Sequence, residues 1–177
     1  RASGYRWVDD IESARQELDR LVADDPENPE AYLRRAEFLT AWEDYPGAIA
    51  DYEKVSQLVP ETSLGYQRCG DIHFSQEKYS QALEMYQKAL QRQPDNRDLR
   101  VAEGLCYENI GAFDQALAVY SALIEQTPDH PDGYYYRGRV YAAQQKNDLA
   151  EADFKKAIEL APNFPQGYQA LGKFYLD

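Results

Sequence analysis

Apolar and small residues recur along this chain with the spacing of short amphipathic helices. A helix advances about 100° per residue, so residues three, four and seven apart share one face. The stretch 131–162 shows the pattern most clearly. Two helices are predicted there, with faces formed by Tyr134, Gly138 and Tyr141 in the first and by Ala150, Phe154 and Ala157 in the second.

The same residue types return at a fixed step of thirty-four residues. Five prolines obey this step and close successive helix pairs: Pro26, Pro60, Pro94, Pro128 and Pro162. A fixed period of this length indicates a repeat architecture, in which neighbouring units bury a shared core. The period predicts a partial unit at 1–28, complete units at 29–62, 63–96, 97–130 and 131–164, and a terminal helix in 165–177.

These residues resemble the tetratricopeptide repeat (TPR), and the resemblance covers nearly all of the chain. In that family, position 4 is aromatic, 8 is Gly or Ala, 11 is usually Tyr, 20 is Ala, 24 is aromatic, 27 is small and 32 is Pro. Besides the residues of 131–162, the matching set is Tyr32, Ala36, Leu39, Ala48, Tyr52, Val55, Tyr66, Gly70, Ala82, Tyr86, Ala89, Gly104, Tyr107, Ala116, Tyr120 and Leu123. Arg100 and His73 depart from the pattern, at positions 4 and 11.

The resemblance extends to both ends of the chain. Tyr5, Ala14, Leu18 and Pro26 fit the tail of a repeat, and Tyr168, Gly172 and Tyr175 fit the beginning of another. We expect Asp9 or Asp10 to cap a first helix over Ile11–Ala23, and a last helix over Pro165–Leu176.

The resemblance implies an all-α fold: a right-handed α-solenoid, or superhelix, of antiparallel helix pairs, forming a single array over 1–177. Small residues at positions 8 and 20 would let the two helices of a pair approach closely. A glycine within a helix costs about 1 kcal/mol relative to alanine. Forcing a larger side chain into a close helix contact costs about 1–3 kcal/mol, so glycine is favoured there.

The chain is acidic, with 19 Lys and Arg against 31 Asp and Glu and a net charge of −12. This charge repels nucleic-acid phosphates and anionic membrane surfaces, so neither is an expected partner. No apolar run approaches the roughly 20 residues of a membrane span, which argues against direct membrane insertion. We expect a soluble protein. Its compartment stays open between cytoplasm and periplasm, since the sequence begins at Arg1 and a targeting segment could precede it.

No residue pattern indicates catalysis, a metal site or a cofactor, and we expect no enzyme activity. Cys69 and Cys106 are predicted to be buried thiols, with a disulfide between adjacent repeats as the open alternative. Cys69 and His73 share a helical face. A zinc site needs about three or four ligands, and no further ligand is placed to complete one. His130 is expected in a solvated turn.

The resemblance implies that the first helices line a concave face that holds a partner segment. The predicted partner-binding residues are Leu33, Glu37, Leu64, Gln67, Asp71, Phe74, Val101, Leu105, Glu108, Asn109, Tyr135, Arg139 and Lys173. Apolar residues would form a strip along this face, acidic residues would dominate its early part, and Arg139 and Lys173 would make the far end basic. The alternative is a solvated face, or one covered by another part of a parent protein.

The predicted ligand is therefore a protein or extended peptide with apolar anchors and some basic character, its basic part lying toward the first repeats. A chaperone C-terminal tail is not expected. Members that bind such tails hold the carboxylate with Lys at position 5 and Asn at position 9. No repeat of this chain has that pair: the residues at positions 5 and 9 are Leu33/Glu37, Gln67/Asp71, Val101/Leu105 and Tyr135/Arg139.

The function predicted is an interaction scaffold that helps to assemble a complex. Two alternatives stay open: a docking or regulatory module of a larger enzyme, and a structural array that self-associates through uncapped ends. Terminal repeats normally need a polar cap, so ends without one would favour self-association. Light scattering would distinguish a self-associating array from a monomer.

Overall fold

A computed structural model describes the backbone of residues 2–176 and the side chains of residues 11–176. Within the described backbone every regular element is an α-helix. The helices are α1 (Ala2–Asp24), α2 (Pro29–Ala41), α3 (Tyr45–Leu58), α4 (Leu64–Ser75), α5 (Tyr79–Leu90), α6 (Arg97–Ile110), α7 (Phe113–Gln126), α8 (Pro131–Ala143), α9 (Asn147–Leu160) and α10 (Pro165–Phe174).

The helices form two compact units, residues 1–94 and 95–177. In the first unit α2 packs on α3 and α4 on α5, with α1 against α2 and α3 against α4. In the second unit α6 packs on α7 and α8 on α9, with α7 against α8 and α10 against α9. The helix pairs fall where the period predicts them. The single array over 1–177 stays a prediction.

The ends of the chain differ from the expected helix boundaries. Helix α1 begins at Ala2 rather than near Ile11, so Asp9 and Asp10 lie inside the helix instead of capping it. No proline interrupts residues 2–10, and the helix therefore extends back through them. The side chain of Tyr5 lies outside the described residues. Helix α10 ends at Phe174, before the expected Leu176.

Local sequence explains where the inner helices begin. The Asn28 side chain accepts a hydrogen bond from the Glu30 backbone at 3.0 Å, and Asn96 accepts one from Leu99 at 3.1 Å. Asp44 caps α3 in the same way, at 3.2 Å from Gly47. Each cap satisfies a backbone N–H that the helix itself leaves unpaired.

The turn inside each helix pair has a left-handed residue at the same repeat position. These residues are Glu43 at φ 61°, Glu77 at φ 59°, Gly111 at φ 82° and Gln145 at φ 58°. Only the third repeat uses glycine, which adopts this conformation without the steric cost that other residues bear.

Close helix approach at positions 8 and 20 is confirmed. Ala48, Ala82, Ala116 and Ala150 are all 0% exposed. A Cβ added at Gly70 would lie 2.6 Å from the Tyr86 ring, and one added at Gly138 would lie 2.9 Å from Phe154. At Gly104 it would overlap the ring of Tyr120, which is itself 0% exposed. In these three repeats the aromatic ring at position 24 thus packs directly against the glycine at position 8.

A second set of glycines joins one repeat to the next. A Cβ at Gly133 in α8 would lie 2.6 Å from Ile124 of α7, and one at Gly167 in α10 would lie 3.0 Å from Ile158 of α9. These glycines occupy position 3 of their repeats, and the sequence analysis did not single them out. No helix within the described residues has the length and apolarity that crossing a membrane requires.

Candidate functional site

The second unit contains a cavity of about 830 Å³ beside α8 and α10. Four of the predicted partner-binding residues line it: Glu108, Tyr135, Arg139 and Lys173. The other lining residues are Ala142, Ala143, Gln145, Asn147, Phe154, Gln166, Gln169, Ala170 and Phe174. The volume falls within the range of about 300–1,000 Å³ that is usual for ligand pockets.

Aromatic packing fixes one wall of this cavity. The Tyr135 ring stands edge-on to Phe164 at 5.2 Å between centroids and to Tyr136 at 5.0 Å. Phe154 lies 6.4 Å from Tyr135 and 6.3 Å from Phe174. Tyr135 is therefore both a lining residue and a packing residue, because removing its ring would also loosen these contacts.

A hydrogen bond and an ion pair hold Glu108 at the edge of the cavity. The Tyr120 hydroxyl donates to the Glu108 carboxylate at 2.7 Å, and Arg139 Nη2 lies 3.2 Å from its other oxygen. Burial raises the pKa of Glu108, while Tyr120 and Arg139 oppose that rise. Burial, with Glu108, also raises the pKa of Tyr120. Glu108 therefore already has a hydrogen-bond donor and an ion-pair partner within the protein.

Three further polar side chains of the cavity are exposed to solvent. Lys173 is exposed and forms no ion pair within residues 11–176. The side-chain amides of Gln166 and Gln169 are also exposed on α10. Amides donate and accept hydrogen bonds, as the backbone of an extended peptide does. The cavity thus combines an aromatic wall, amides and a cation without a partner among the described side chains.

The first unit has a smaller pocket, of about 290 Å³, between α2 and α4. The predicted residues Glu37 and Asp71 line it, with Thr40, Ala41, Tyr52, Arg68 and Ile72. Asp71 accepts a hydrogen bond from the Tyr86 hydroxyl at 2.9 Å and lies 3.6 Å from Arg68. Burial raises the pKa of Asp71, and both of these groups oppose that rise. Glu37, in contrast, is exposed and has no ion pair among the described side chains.

The other predicted partner-binding residues line neither cavity. Leu33 packs against the core of the first unit, and Phe74 stands edge-on to Tyr79 at 5.3 Å. The Asn109 side chain donates to the Leu105 carbonyl at 2.8 Å. Leu64, Gln67, Val101 and Leu105 are half-buried. Their role in binding stays a prediction.

The residue pattern did not predict two ion pairs that the structure contains. Arg35 donates to both oxygens of Asp51 at 2.7 and 2.8 Å, and Arg137 donates to Asp153 at 2.8 and 2.9 Å. Both pairs join repeat positions 7 and 23, in the first and fourth repeats. A third hydrogen bond from each arginine reaches the preceding repeat, at Asp19 or Ser121.

The two thiols considered for chemistry are buried, and the two histidines are half-buried. Cys69 and Cys106 are free thiols, each 0% exposed, and burial raises the pKa of each to about 12. The Nδ1 atom of His73 is buried without a hydrogen-bond partner among the described residues, and burial lowers the pKa of its imidazole. Across residues 11–176, no three His, Cys, Asp or Glu side chains converge as a metal site.

Comparison with known protein families finds the tetratricopeptide repeat along most of the chain. Tetratricopeptide repeat models match residues 8–61, 73–139 and 131–164, and the last of these is a repeat predicted from the proline spacing. A search of curated protein sequences found no significant match.

Solved TPR structures have the same fold. MamA is 24% identical, with a TM-score of 0.73 over 88% of this chain and 91% of that one. The C-terminal part of a TPR protein from Cytophaga hutchinsonii is 25% identical, with a TM-score of 0.75 over 93% of this chain and 65% of its own. The first TPR of Spaghetti, solved with the HSP90 peptide SRMEEVD, is 25% identical, with a TM-score of 0.58 over 65% of this chain and 91% of its own.

The family matches and the helix pairs point to the same conclusion. The expected all-α solenoid fold is confirmed, and the chain belongs to the tetratricopeptide repeat family.

Proposed function

We propose that this protein is an interaction scaffold that binds an extended segment of a partner protein, with its main contact in the cavity of the second unit. The observation that supports this most is the cavity of about 830 Å³, which four of the predicted partner-binding residues line. A scaffold role is common to the family, and the Spaghetti TPR structure contains a bound peptide. No catalytic step is part of the proposal.

The chemistry of the cavity suits an apolar anchor flanked by peptide backbone. The rings of Tyr135 and Phe174 are partly exposed and offer an apolar surface, and burial of apolar area contributes about 25 cal/mol per Å². Gln166 and Gln169 supply hydrogen bonds that a peptide backbone satisfies. Lys173 favours an acidic group on the occupant next to the anchor, since Glu108 is already compensated by Arg139.

The pocket of the first unit favours the opposite charge. Glu37 has no ion pair there among the described side chains, whereas Asp71 is held by Arg68 and Tyr86. A basic group of the partner is therefore proposed to bind at Glu37. This retains the expected basic character of the ligand and assigns it to one carboxylate rather than to the whole acidic set.

The partner is proposed to differ from a chaperone tail. The HSP90 peptide bound by the Spaghetti TPR is acidic and ends in a carboxylate. Here the positions that hold such a carboxylate are Leu33 and Glu37 in the first repeat and Gln67 and Asp71 in the second. Two of these four residues are acids, and they would repel it.

The test uses a library of random dodecapeptides displayed on phage and selected on the full chain. A selected peptide is then synthesised, and its Kd is measured by calorimetry with the wild type, Lys173→Glu and Gln169→Ala. Both residues are exposed, so neither change should affect folding. We expect Lys173→Glu to weaken binding by at least about fivefold, the scale of an exposed charge pair that is reversed.

Lys78→Glu is the matched control, because Lys78 is also exposed and does not line the cavity. It should leave the affinity unchanged. A peptide that binds both the Lys173→Glu and the Gln169→Ala variant with wild-type affinity would show that the binding site lies elsewhere. That result would contradict the proposal.

A further inference from the structure

Four side chains from α6, α7 and α8 form a closed cycle of contacts at the edge of the cavity. The Glu108 carboxylate of α6 accepts a hydrogen bond from the Tyr120 hydroxyl of α7 at 2.7 Å. The Tyr120 ring stacks on Tyr136 of α8, with 5.4 Å between the centroids and 19° between the planes. The Arg139 guanidinium carbon lies 5.6 Å from the Tyr136 centroid, and Arg139 Nη2 lies 3.2 Å from Glu108. Each of the four side chains thus contacts two of the others.

The aromatic rings hold Arg139 independently of Glu108. A guanidinium group is attracted to the face of a tyrosine ring, and Arg139 lies near two such rings, since the Tyr135 centroid is 5.9 Å away. The Arg139 side chain is 40% exposed, whereas the Glu108 side chain is 13% exposed, and both line the cavity. Of these two charged groups, the cation is therefore the more accessible to a ligand.

Glu108 opposes the attraction that Arg139 would exert on an acidic ligand. A ligand carboxylate that approaches the guanidinium also approaches the Glu108 carboxylate, which lies 3.2 Å from Arg139. Attraction and repulsion then act over similar distances and largely cancel. A neutral acceptor, such as a peptide carbonyl, does not meet this repulsion and can still accept a hydrogen bond from the guanidinium. A repulsive group of this kind lets a protein reject one ligand while it binds another.

We propose that Glu108 determines the ligand specificity of the cavity by excluding acidic groups from Arg139 and confining them to Lys173. This inference rests on the function proposed above and adds to it the charge of the ligand at a second position. The ligand is a segment with an acidic group at Lys173 and a neutral hydrogen-bond acceptor beside Arg139. Glu108 acts through Arg139 and is therefore a positioning residue.

Glu108→Gln tests this role, because it removes the charge and keeps the shape of the side chain. The amide oxygen of Gln can still accept from Tyr120, and the rings of Tyr135 and Tyr136 still hold Arg139. Thermal unfolding followed by circular dichroism verifies that the variant is folded.

The probes are a synthesised peptide from the phage selection and a set of its analogues, each with Glu at one position. Calorimetry measures the Kd of each analogue with the wild type and with Glu108→Gln. We expect one analogue to bind the wild type no better than the parent peptide does. The same analogue should bind Glu108→Gln about three- to fivefold more tightly than the parent peptide does, the scale of one exposed ion pair.

Two further variants show whether this gain acts through Arg139. The double variant Glu108→Gln with Arg139→Gln should lose the gain, because the cation that attracts the added Glu is absent. Glu125→Gln removes the same charge from an exposed position of α7 that does not line the cavity, and it should not produce the gain. A gain that persists without Arg139, or that Glu125→Gln reproduces, would be a general charge effect and would overturn the inference.

The same measurements distinguish the failure of this inference from the failure of the proposed function. If Lys173→Glu weakens the parent peptide but no analogue gains affinity for Glu108→Gln, the cavity binds the peptide and Glu108 does not set its specificity. If the parent peptide binds Lys173→Glu and Gln169→Ala with wild-type affinity, the cavity is not the binding site, and both proposals are wrong.

Discussion

Arg137 and Asp153 are joined by two parallel hydrogen bonds, of 2.8 and 2.9 Å, across the two helices of the fourth repeat. The Asp153 side chain is 9% exposed and that of Arg137 is 23% exposed. The carboxylate is the main cause of the raised pKa of Arg137, which burial opposes. Arg35 and Asp51 repeat the geometry in the first repeat. An ion pair of this kind therefore joins the two helices in the first and in the last of the complete repeats.

Breaking one partner of this pair should destabilise the second unit. Asp153→Met leaves Arg137 with an uncompensated charge that is only partly exposed. We expect a loss of about 2–4 kcal/mol in the free energy of unfolding, toward the lower end because water screens the arginine in part. Urea denaturation followed by circular dichroism measures this loss.

The second repeat supplies the control for that substitution. It has Cys69 and Met85 at the two equivalent positions, and both are buried. The double variant Arg137→Cys with Asp153→Met therefore installs an apolar pair that another repeat already tolerates. It should lose less stability than the sum of the two single variants. Strictly additive losses would show that the ion pair is not the source of the effect.

The sequence predicted the helix pairs because the packing rule is local and periodic. Gly104 under Tyr120 and the alanines at position 20 recur at each step, so one repeat explains the others. The Arg137–Asp153 pair occurs in only two repeats, and its partners lie sixteen residues apart on different helices. No periodic signal marked it. The glycines at position 3, such as Gly133, depend on the neighbouring repeat and were missed for the same reason.

The candidate site was predicted only in part. The face of each first helix follows from residue spacing, and three residues that this spacing selected, Glu108, Arg139 and Lys173, line the cavity. Their role in binding stays a prediction. The depth of the cavity depends on how α10 packs against α8 and α9, which the spacing does not specify. The spacing also could not show that Tyr135 packs against Phe164 and Phe154, or that Arg139 neutralises Glu108.

Gly111 and Gly172 should respond to alanine in opposite directions. Neither has an atom within 4 Å of an added Cβ, so packing does not distinguish them. Gly111 has φ 82°, where alanine is strained, and Gly111→Ala should cost about 1 kcal/mol. Gly172 lies within α10, and Gly172→Ala should gain about 0.5 kcal/mol from helix propensity. Thermal unfolding of dilute samples measures both, and shifts of equal sign would contradict the backbone explanation.

Cys69 and Cys106 should be unreactive in the folded protein. Both thiols are 0% exposed, and burial raises the pKa of each to about 12, so neither thiolate forms near neutral pH. The Cys69 Sγ lies 3.7 Å from the Ile49 carbonyl, to which it can donate. A thiol reagent such as DTNB at pH 8 should label neither residue until denaturant is added, and both afterwards. Rapid labelling of the native chain would contradict the observed burial.

His73 should make the first unit less stable as the pH falls. Burial, reinforced by Lys78, lowers the pKa of its imidazole below the ordinary 6.5, and its Nδ1 has no partner among the described side chains. The unfolded chain therefore binds a proton more readily than the folded one. The loss of stability begins as the pH drops through about 6.5 and levels off below the folded pKa, and it is absent at higher pH.

The measurement can be confined to the first unit, because both tryptophans, Trp7 and Trp42, belong to it. Urea denaturation followed by tryptophan fluorescence at pH 8, 7, 6 and 5 should show the decrease in the wild type. His73→Leu uses the residue that the first repeat has at this position, Leu39, and should remove that part of the decrease. The His130 ring caps α8 by accepting a hydrogen bond from the Asp132 backbone N–H at 3.4 Å. His130→Asn keeps a capping side chain there and should retain the decrease. An equal decrease in His73→Leu would assign the pH dependence to other groups.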